Sequence, residues 1–402
     1  MGLNDTVSAE RLHIGFFGMR NAGKSSLVNA VTGQALSVVS PIKGTTTDPV
    51  QKAMELLPLG PVVILDTPGL DDEGDLGELR VQKAREALDK TDIAVHVVDA
   101  SRGLQREDLA LREEFKKRNL PYVTVYNKGD LASPDLSGEE QALLVSTVTG
   151  AGVAALKERL GAFAKARKNP KLLLRDLLSP NDVVVLVTPI DESAPKGRLI
   201  LPQQMVLRDV LDAHAKAVVC QDTELADTLA DLKKPPRMVI TDSQVFGKVA
   251  KVTPRSVPLT SFSILMARYK GDLAELVRGF AALRTVREGD AILISEGCTH
   301  HRQCNDIGTV KMPGWIREFT GVEPTFHFTS GGEFPDTLTQ YRVIVHCGGC
   351  MLNEAAMQSR LARAAAQGVP MVNYGIAIAG MHGILHRSLE LFPDMLSLLD
   401  QA

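Results

Sequence analysis

Short runs of Val, Ile, Leu and Phe recur along the chain, separated by stretches in which apolar residues return every three or four positions. The runs at 12–17, 62–66, 93–99 and 122–126 are apolar at most positions, the pattern of strands buried on both faces of a parallel sheet. The intervening stretches predict helices beginning near Lys24, Gly77 and Gln105, with another after Gly152. Alternation of this kind predicts a doubly wound α/β domain over residues 1–168. A polar, basic stretch at 165–175 (KARKNPKLLLR) breaks the pattern and reads as a linker. A smaller α/β block follows at 176–257, with strands near 183–187, 217–220 and 238–241 and helices near 203–213 and 224–232. It carries no chemical motif, so docking or dimerisation is its simplest role. A third α/β block spans 258–402, with strands near 291–295, 325–328, 342–346 and 371–374 and helices near 272–286, 353–366 and 377–391.

Composition narrows the class. The chain has 402 residues, enough for three hydrophobic cores, and its 44% hydrophobic and 23% charged residues are ordinary for a globular protein. A formal charge of −3 gives no reason to expect a nucleic-acid or membrane partner. No apolar run reaches the roughly 20 residues that span a bilayer, and the polar N-terminus does not resemble a secretion signal. Five cysteines do not make a disulfide framework. The expectation is a cytoplasmic protein whose cysteines are reduced, buried or bound to metal.

Gly18-Met19-Arg20-Asn21-Ala22-Gly23-Lys24-Ser25 fits the phosphate-binding pattern GxxxxGK[ST] and stands between a predicted strand and a predicted helix. Backbone N–H groups of such a loop, with Ser26 just inside the helix, close around phosphates. Lys24 would reach the β- and γ-phosphates and Ser25 would supply a hydroxyl to Mg²⁺. Asp66-Thr67-Pro68-Gly69 ends the second apolar run, where Asp66 can hold the magnesium shell and Gly69 can sense the γ-phosphate. Asn127-Lys128-Gly129-Asp130 follows the fourth run. The Asp130 carboxylate can accept from guanine N1–H and N2–H₂, a donor pair that adenine lacks, so this element selects GTP over ATP. Ser146 and Thr147 fall where a base-contacting loop is expected. Gly44-Thr45-Thr46-Thr47-Asp48 lies where a mobile switch threonine belongs, with Thr46 as first choice for the magnesium ligand and Thr45 as second. Lys24, Thr46 and Gly69 are the expected catalytic positions. Leu70 stands where Ras-like enzymes carry a water-positioning Gln, so hydrolysis is expected to be slow without a cation or partner.

Cys298-Thr299-His300 follows the predicted strand at 291–295, and His346-Cys347-Gly348-Gly349-Cys350 follows that at 342–346. Both groups fall at carboxyl ends of strands, the edge where such sheets bind ligands. The helix after Cys350 would direct N–H groups at an anionic centre. From the residues alone an iron–sulfur centre and structural zinc are equally open, and a redox Cys-x-x-Cys pair is a third reading. Cys304 reads as a bystander, and Cys220, in an apolar strand, as a core residue.

Asn21 within GMRNAGKS and the GTTTD segment resemble the TrmE–Era class of GTPases. That resemblance implies that Asn21 helps bind a potassium ion, although a simple turn residue would also fit there. The CTH…HCGGC pattern, behind such a GTPase domain and a middle domain, resembles the HydF family, the GTPase maturation factors of FeFe-hydrogenases, over the whole chain. The resemblance implies GTP/GDP and Mg²⁺ in the first domain, dimerisation through the second, and a 4Fe-4S cluster in the third on Cys298, Cys347 and Cys350. His300 and His346 become candidate further ligands. It also implies a transient two-iron precursor as cargo, two radical-SAM maturases and apo-hydrogenase as partners, and a homodimer. A ribosome- or tRNA-associated GTPase and a GTPase with a zinc domain are the rival readings.

Overall fold

The computed structural model describes residues 8–35, 50–68, 75–166, 172–190, 199–297 and 306–401. They fall into two compact units, Met1–Asn169 and Pro170–Ala402.

The first unit runs β1 (Leu12–Phe17), α1 (Lys24–Thr32), β2 (Val50–Leu56), β3 (Gly60–Asp66), α2 (Asp75–Asp89), β4 (Ile93–Asp99), α3 (Arg106–Lys117), β5 (Tyr122–Asn127), β6 (Ala142–Leu144) and α4 (Val153–Ala166). Its sheet has the order β2-β3-β1-β4-β5-β6, with β2 antiparallel to β3 and the other pairs parallel. The apolar runs become central strands because both faces are covered: Ile14, Phe16, Ile64, Val95 and Val125 pack against Leu27, Val31, Leu156 and Leu160 on one face, and Phe17 and Ala94 against Leu88, Leu111 and Phe115 on the other. Strand β1 sits between β3 and β4, so the chain leaves it at a switch in strand order, where open α/β sheets bind ligands.

The second unit runs β7 (Val183–Val187), α5 (Leu201–Asp212), β8 (Lys216–Cys220), α6 (Leu225–Asp231), β9 (Met238–Thr241), α7 (Phe246–Val252), β10 (Leu259–Ser261), α8 (Phe262–Lys270), α9 (Leu273–Arg284) and β11 (Ala291–Ser295). It continues with α10 (Met312–Thr320), β12 (Thr325–Thr329), β13 (Val343–His346), α11 (Glu354–Ala366), β14 (Met371–Asn373), α12 (Tyr374–Met381), α13 (Leu385–Ser388) and α14 (Pro393–Gln401). Two four-stranded parallel sheets result, β10-β9-β7-β8 and β12-β11-β13-β14. One core joins them, from Val184, Leu186 and Ile240 through Ile264 and Leu265 to Ile292 and Ile344. Arg387 of α13 donates to the carbonyls of Ala250, Thr253 and Pro254 at the end of α7, a cation satisfying a helix C-terminus.

Two expectations need correction, and one strand goes beyond them. The division expected at 257/258 cuts the middle sheet, because Leu259–Ser261 pairs with β9. The single helix expected at 377–391 is two, interrupted where Gly383 takes φ +70°. Strand β2 was not expected at all.

Candidate functional site

The phosphate-loop residues take the backbone that such a loop needs. Gly18 has φ +147° and its missing Cβ would lie 2.1 Å from the Val97 carbonyl oxygen, so no side chain fits. Gly23 has φ +90° and caps α1; a Cβ there would lie 2.2 Å from Asn127 Nδ2. Asn21 is exposed in the left-handed region at φ +60°, which Asn tolerates better than most residues. Ala22 is buried, and its carbonyl accepts from Asn127 Nδ2 at 3.1 Å, tying the loop to the end of β5. The Lys24 ammonium donates to the carbonyls of Gly18 (3.0 Å) and Met19 (2.8 Å). Ser25 and Ser26 follow in the first turn of α1.

Ser25 Oγ donates to Asp66 Oδ2 at 2.7 Å. Asp66 is buried, and its Oδ1 has no hydrogen-bond partner among the described residues. A buried, orphaned carboxylate oxygen beside a phosphate-loop hydroxyl fits a magnesium shell, since a bare carboxylate oxygen is costly to bury.

At the guanine end, Ser146 Oγ donates to Asp130 Oδ1 at 2.5 Å, and Ser146 in turn accepts from Thr149 N–H. Thr147 is half-buried beside it. Lys128 has φ +66°, and its ammonium meets Asp99 Oδ2 at 2.5 Å. Asp99 Oδ1 accepts from Ser101 N–H (2.9 Å) and Oγ–H (2.6 Å). Burial pushes the Asp99 carboxyl up, but the Lys128 and Ser101 hydrogen bonds outweigh it and hold the group below its ordinary range. Asp99 belongs to no nucleotide-binding motif; the register that pairs it with Asn127 across β4 and β5 is what brings it to Lys128. Thr45, Thr46 and Gly69 lie outside the described residues.

In the second unit, β11 and β13 are neighbours, with Ser295 opposite His346. Cys347 and Cys350 follow β13, both half-buried. Cys347 Sγ accepts from Gly297 N–H at 3.0 Å and from Gly349 N–H at 3.4 Å. Burial raises the Cys350 thiol, and the Lys270 charge opposes that rise. Lys270, itself buried, donates to the carbonyls of Cys350 (3.2 Å) and Leu352 (2.9 Å). Tyr374 donates to Glu296 Oε1 at 3.3 Å, and burial together with that carboxylate keeps its phenol well above the ordinary range. The helix after Cys350 already caps itself, since Asn353 Oδ1 takes the Ala356 N–H.

His346 does not have a ring nitrogen to offer a metal in this arrangement. Arg360 Nη1 lies 2.8 Å from Nε2, and a guanidinium can only donate, so Nε2 accepts and the proton sits on Nδ1, 2.7 Å from the Cys347 carbonyl. Arg360 also donates to Ser295 Oγ and the Gly331 carbonyl. Burial and the Arg360 charge push the imidazole pKa down to about 3. In this arrangement both ring nitrogens of His346 are engaged, and the side chain holds the Cys347 backbone. Cys298 and His300, with His301 and Cys304, lie outside the described residues. Among the described residues no group of three His, Cys, Asp or Glu side chains could hold a metal ion, and no helix is long and apolar enough to cross a membrane.

Comparison with known proteins matches three family models to this chain. Residues 13–128 match the 50S ribosome-binding GTPase model, 173–271 the hydrogen maturase F dimerization domain and 274–391 the hydrogen maturase F tetramerization domain. The tRNA modification GTPase MnmE of Herminiimonas arsenicoxydans is 38% identical over 125 residues, 30% of this chain and 26% of that protein. The GTPase Der of Kosmotoga olearia is 29% identical over 223 residues, 50% of each. Among solved structures, Aquifex aeolicus Era bound to GDP and AlF4⁻ aligns at a TM-score of 0.35 with 17% identity, covering 60% of this chain and 97% of that one. The chain thus spans about a quarter to a third of the length of the MnmE relatives it matches. The two hydrogen maturase F models together cover more than half of the chain, behind a stretch that matches the GTPase model. The chain belongs to the HydF family of hydrogen maturases and carries a GTPase domain that takes GTP or GDP with Mg²⁺.

Proposed function

We propose that this protein is a GTP-hydrolysing scaffold and carrier in FeFe-hydrogenase maturation. It holds a 4Fe-4S cluster on Cys298, Cys347 and Cys350, receives a two-iron precursor made with radical-SAM maturases, and delivers that cargo to apo-hydrogenase. The supporting observation is the cysteine edge. Gly297, the residue before Cys298, donates to Cys347 Sγ, so the ends of β11 and β13 meet at one edge of one sheet. Two N–H···S bonds on Cys347 suit a thiolate that carries charge onto a metal centre. When bound, a cluster on three cysteines leaves one iron with an exchangeable ligand.

In the first domain Lys24, Ser25 and Asp66 position phosphates and Mg²⁺, with Thr46 and Gly69 as the switch contacts. Asp130, Ser146, Thr147 and Lys128 read guanine, and Asn21 takes the potassium ion. GTP acts as the control input: its presence orders the switch segments and so alters docking of domains or partners. The named dimerisation and tetramerisation domains support a homodimer or a higher oligomer. An RNA-linked role would rest on the first domain alone, because the MnmE match covers 30% of the chain.

The reading is tested by loading the full chain with the two-iron precursor and adding apo-hydrogenase. Hydrogen evolution that depends on the loaded chain, and is lost with Cys347→Ser, is expected. A loaded wild-type chain that leaves apo-hydrogenase inactive would overturn the carrier role.

A further inference from the structure

The loop Cys347-Gly348-Gly349-Cys350 is held by side chains that the motif reading did not include. On the Cys347 side, His346 Nδ1–H bonds the Cys347 carbonyl and is fixed by buried Arg360. On the Cys350 side, Lys270 is 3% exposed and donates to the carbonyls of Cys350 and Leu352. Lys270 is the last residue of α8, and the Gln358 amide ties the same helix end to α11 by donating to the carbonyls of Lys270 and Gly271. It also belongs to the stretch matched by the dimerization model, whereas the cysteines belong to the tetramerization model. One domain therefore reaches into the cysteine loop of the next.

A neutral side chain with an N–H group could serve the same two carbonyls. What lysine adds over such a group is a fixed positive charge in a buried site, and the attraction of that charge for an anionic group is strongest in low dielectric.

We infer that Lys270 is an electrostatic positioning residue for the metal centre of the third domain: it orients the Cys350 loop and stabilises the more negative, reduced state of a bound cluster. The inference rests on the iron–sulfur reading above. Its sign is fixed by Coulomb attraction: removing the cation disfavours the reduced form and lowers the reduction potential.

The test uses the full chain reconstituted anaerobically with iron and sulfide, as wild type, K270Q and K270R, titrated against potential and followed by electron paramagnetic resonance. At the wild-type midpoint, K270Q is expected to show a reduced-to-oxidised ratio lower by about tenfold, which is about 59 mV for a one-electron couple. K270R, which keeps the charge, should stay within about threefold of wild type. A folded K270Q chain that fails to take up a cluster that K270R accepts also supports the charge role. An unchanged midpoint in K270Q with the cluster present overturns it. Should K270Q lose its thermal unfolding transition, K270R decides, and a shift there as large as tenfold overturns the inference. A wild-type chain that takes up no cluster instead defeats the iron–sulfur reading, and so the two failures are distinguishable.

Discussion

Asp99 ends β4 and Lys128 follows β5, and their ion pair fixes the lysine proposed to read guanine. The Asp99 carboxylate is itself locked by Ser101, so the pair is built rather than incidental. Asp99→Asn should weaken GDP and GTP equally, by about tenfold, because a charge-assisted hydrogen bond is worth roughly 1.5–3 kcal/mol and part of it survives in the amide. Turnover at saturating GTP should hold near wild type, the signature of lost uniform binding. Fluorescent-nucleotide dissociation rates check this, and unchanged affinity would refute the role. Asn21 is exposed in a left-handed turn, where either a turn residue or an ion ligand is at home. Potassium assistance predicts several-fold faster hydrolysis in KCl than in NaCl, abolished in Asn21→Ala; equal wild-type rates in the two salts remove that role.

The element scale shows what patterning can and cannot reveal. Central strands were legible because burial on both faces leaves an unbroken apolar run, as at β1, β4 and β5. Strand β2 was not legible, because an antiparallel edge strand largely exposed over 51–55 needs few apolar residues. Strand β10 has three residues, too few to show a period, and joins α8 without a break, hence the misplaced boundary. The motifs could be read in order along the chain, yet the pairs that brace them could not. Arg360 lies 14 positions beyond His346, and Lys270 lies 80 before Cys350. Such partners are set by packing, not by spacing. A similar long-range pair couples β4 to α3: His96 Nε2 bonds Asp108 Oδ1 at 3.0 Å, with both side chains buried. Burial lowers the His96 pKa below 6.5 in spite of Asp108, which raises it. The unfolded chain then takes up the proton first, so this group's stabilisation is complete above about pH 6.5 and declines as pH falls toward the folded value. The unfolding transition that GDP raises identifies the first unit. Between about pH 7.5 and pH 5.5 its midpoint should fall more steeply in wild type than in His96→Gln. Matching slopes would contradict the assignment.

The first unit carries a phosphate loop tied to the end of β5, with buried Asp66 beside Ser25, and the second carries a braced cysteine edge. The second unit is continuous: its two sheets share one core, and Arg387 and Lys270 cross between the matched domains in opposite directions. At that edge the residue before Cys298 donates to Cys347 Sγ, and Lys270 holds the Cys350 carbonyl. Metal and sulfide analysis of the anaerobically purified full chain, with its absorbance and paramagnetic spectrum, tests the central claim most directly. The account predicts iron with an equal amount of acid-labile sulfide, a brown colour, and loss of both in Cys347→Ser and Cys298→Ser. A colourless chain carrying stoichiometric zinc that depends on the same cysteines would contradict it.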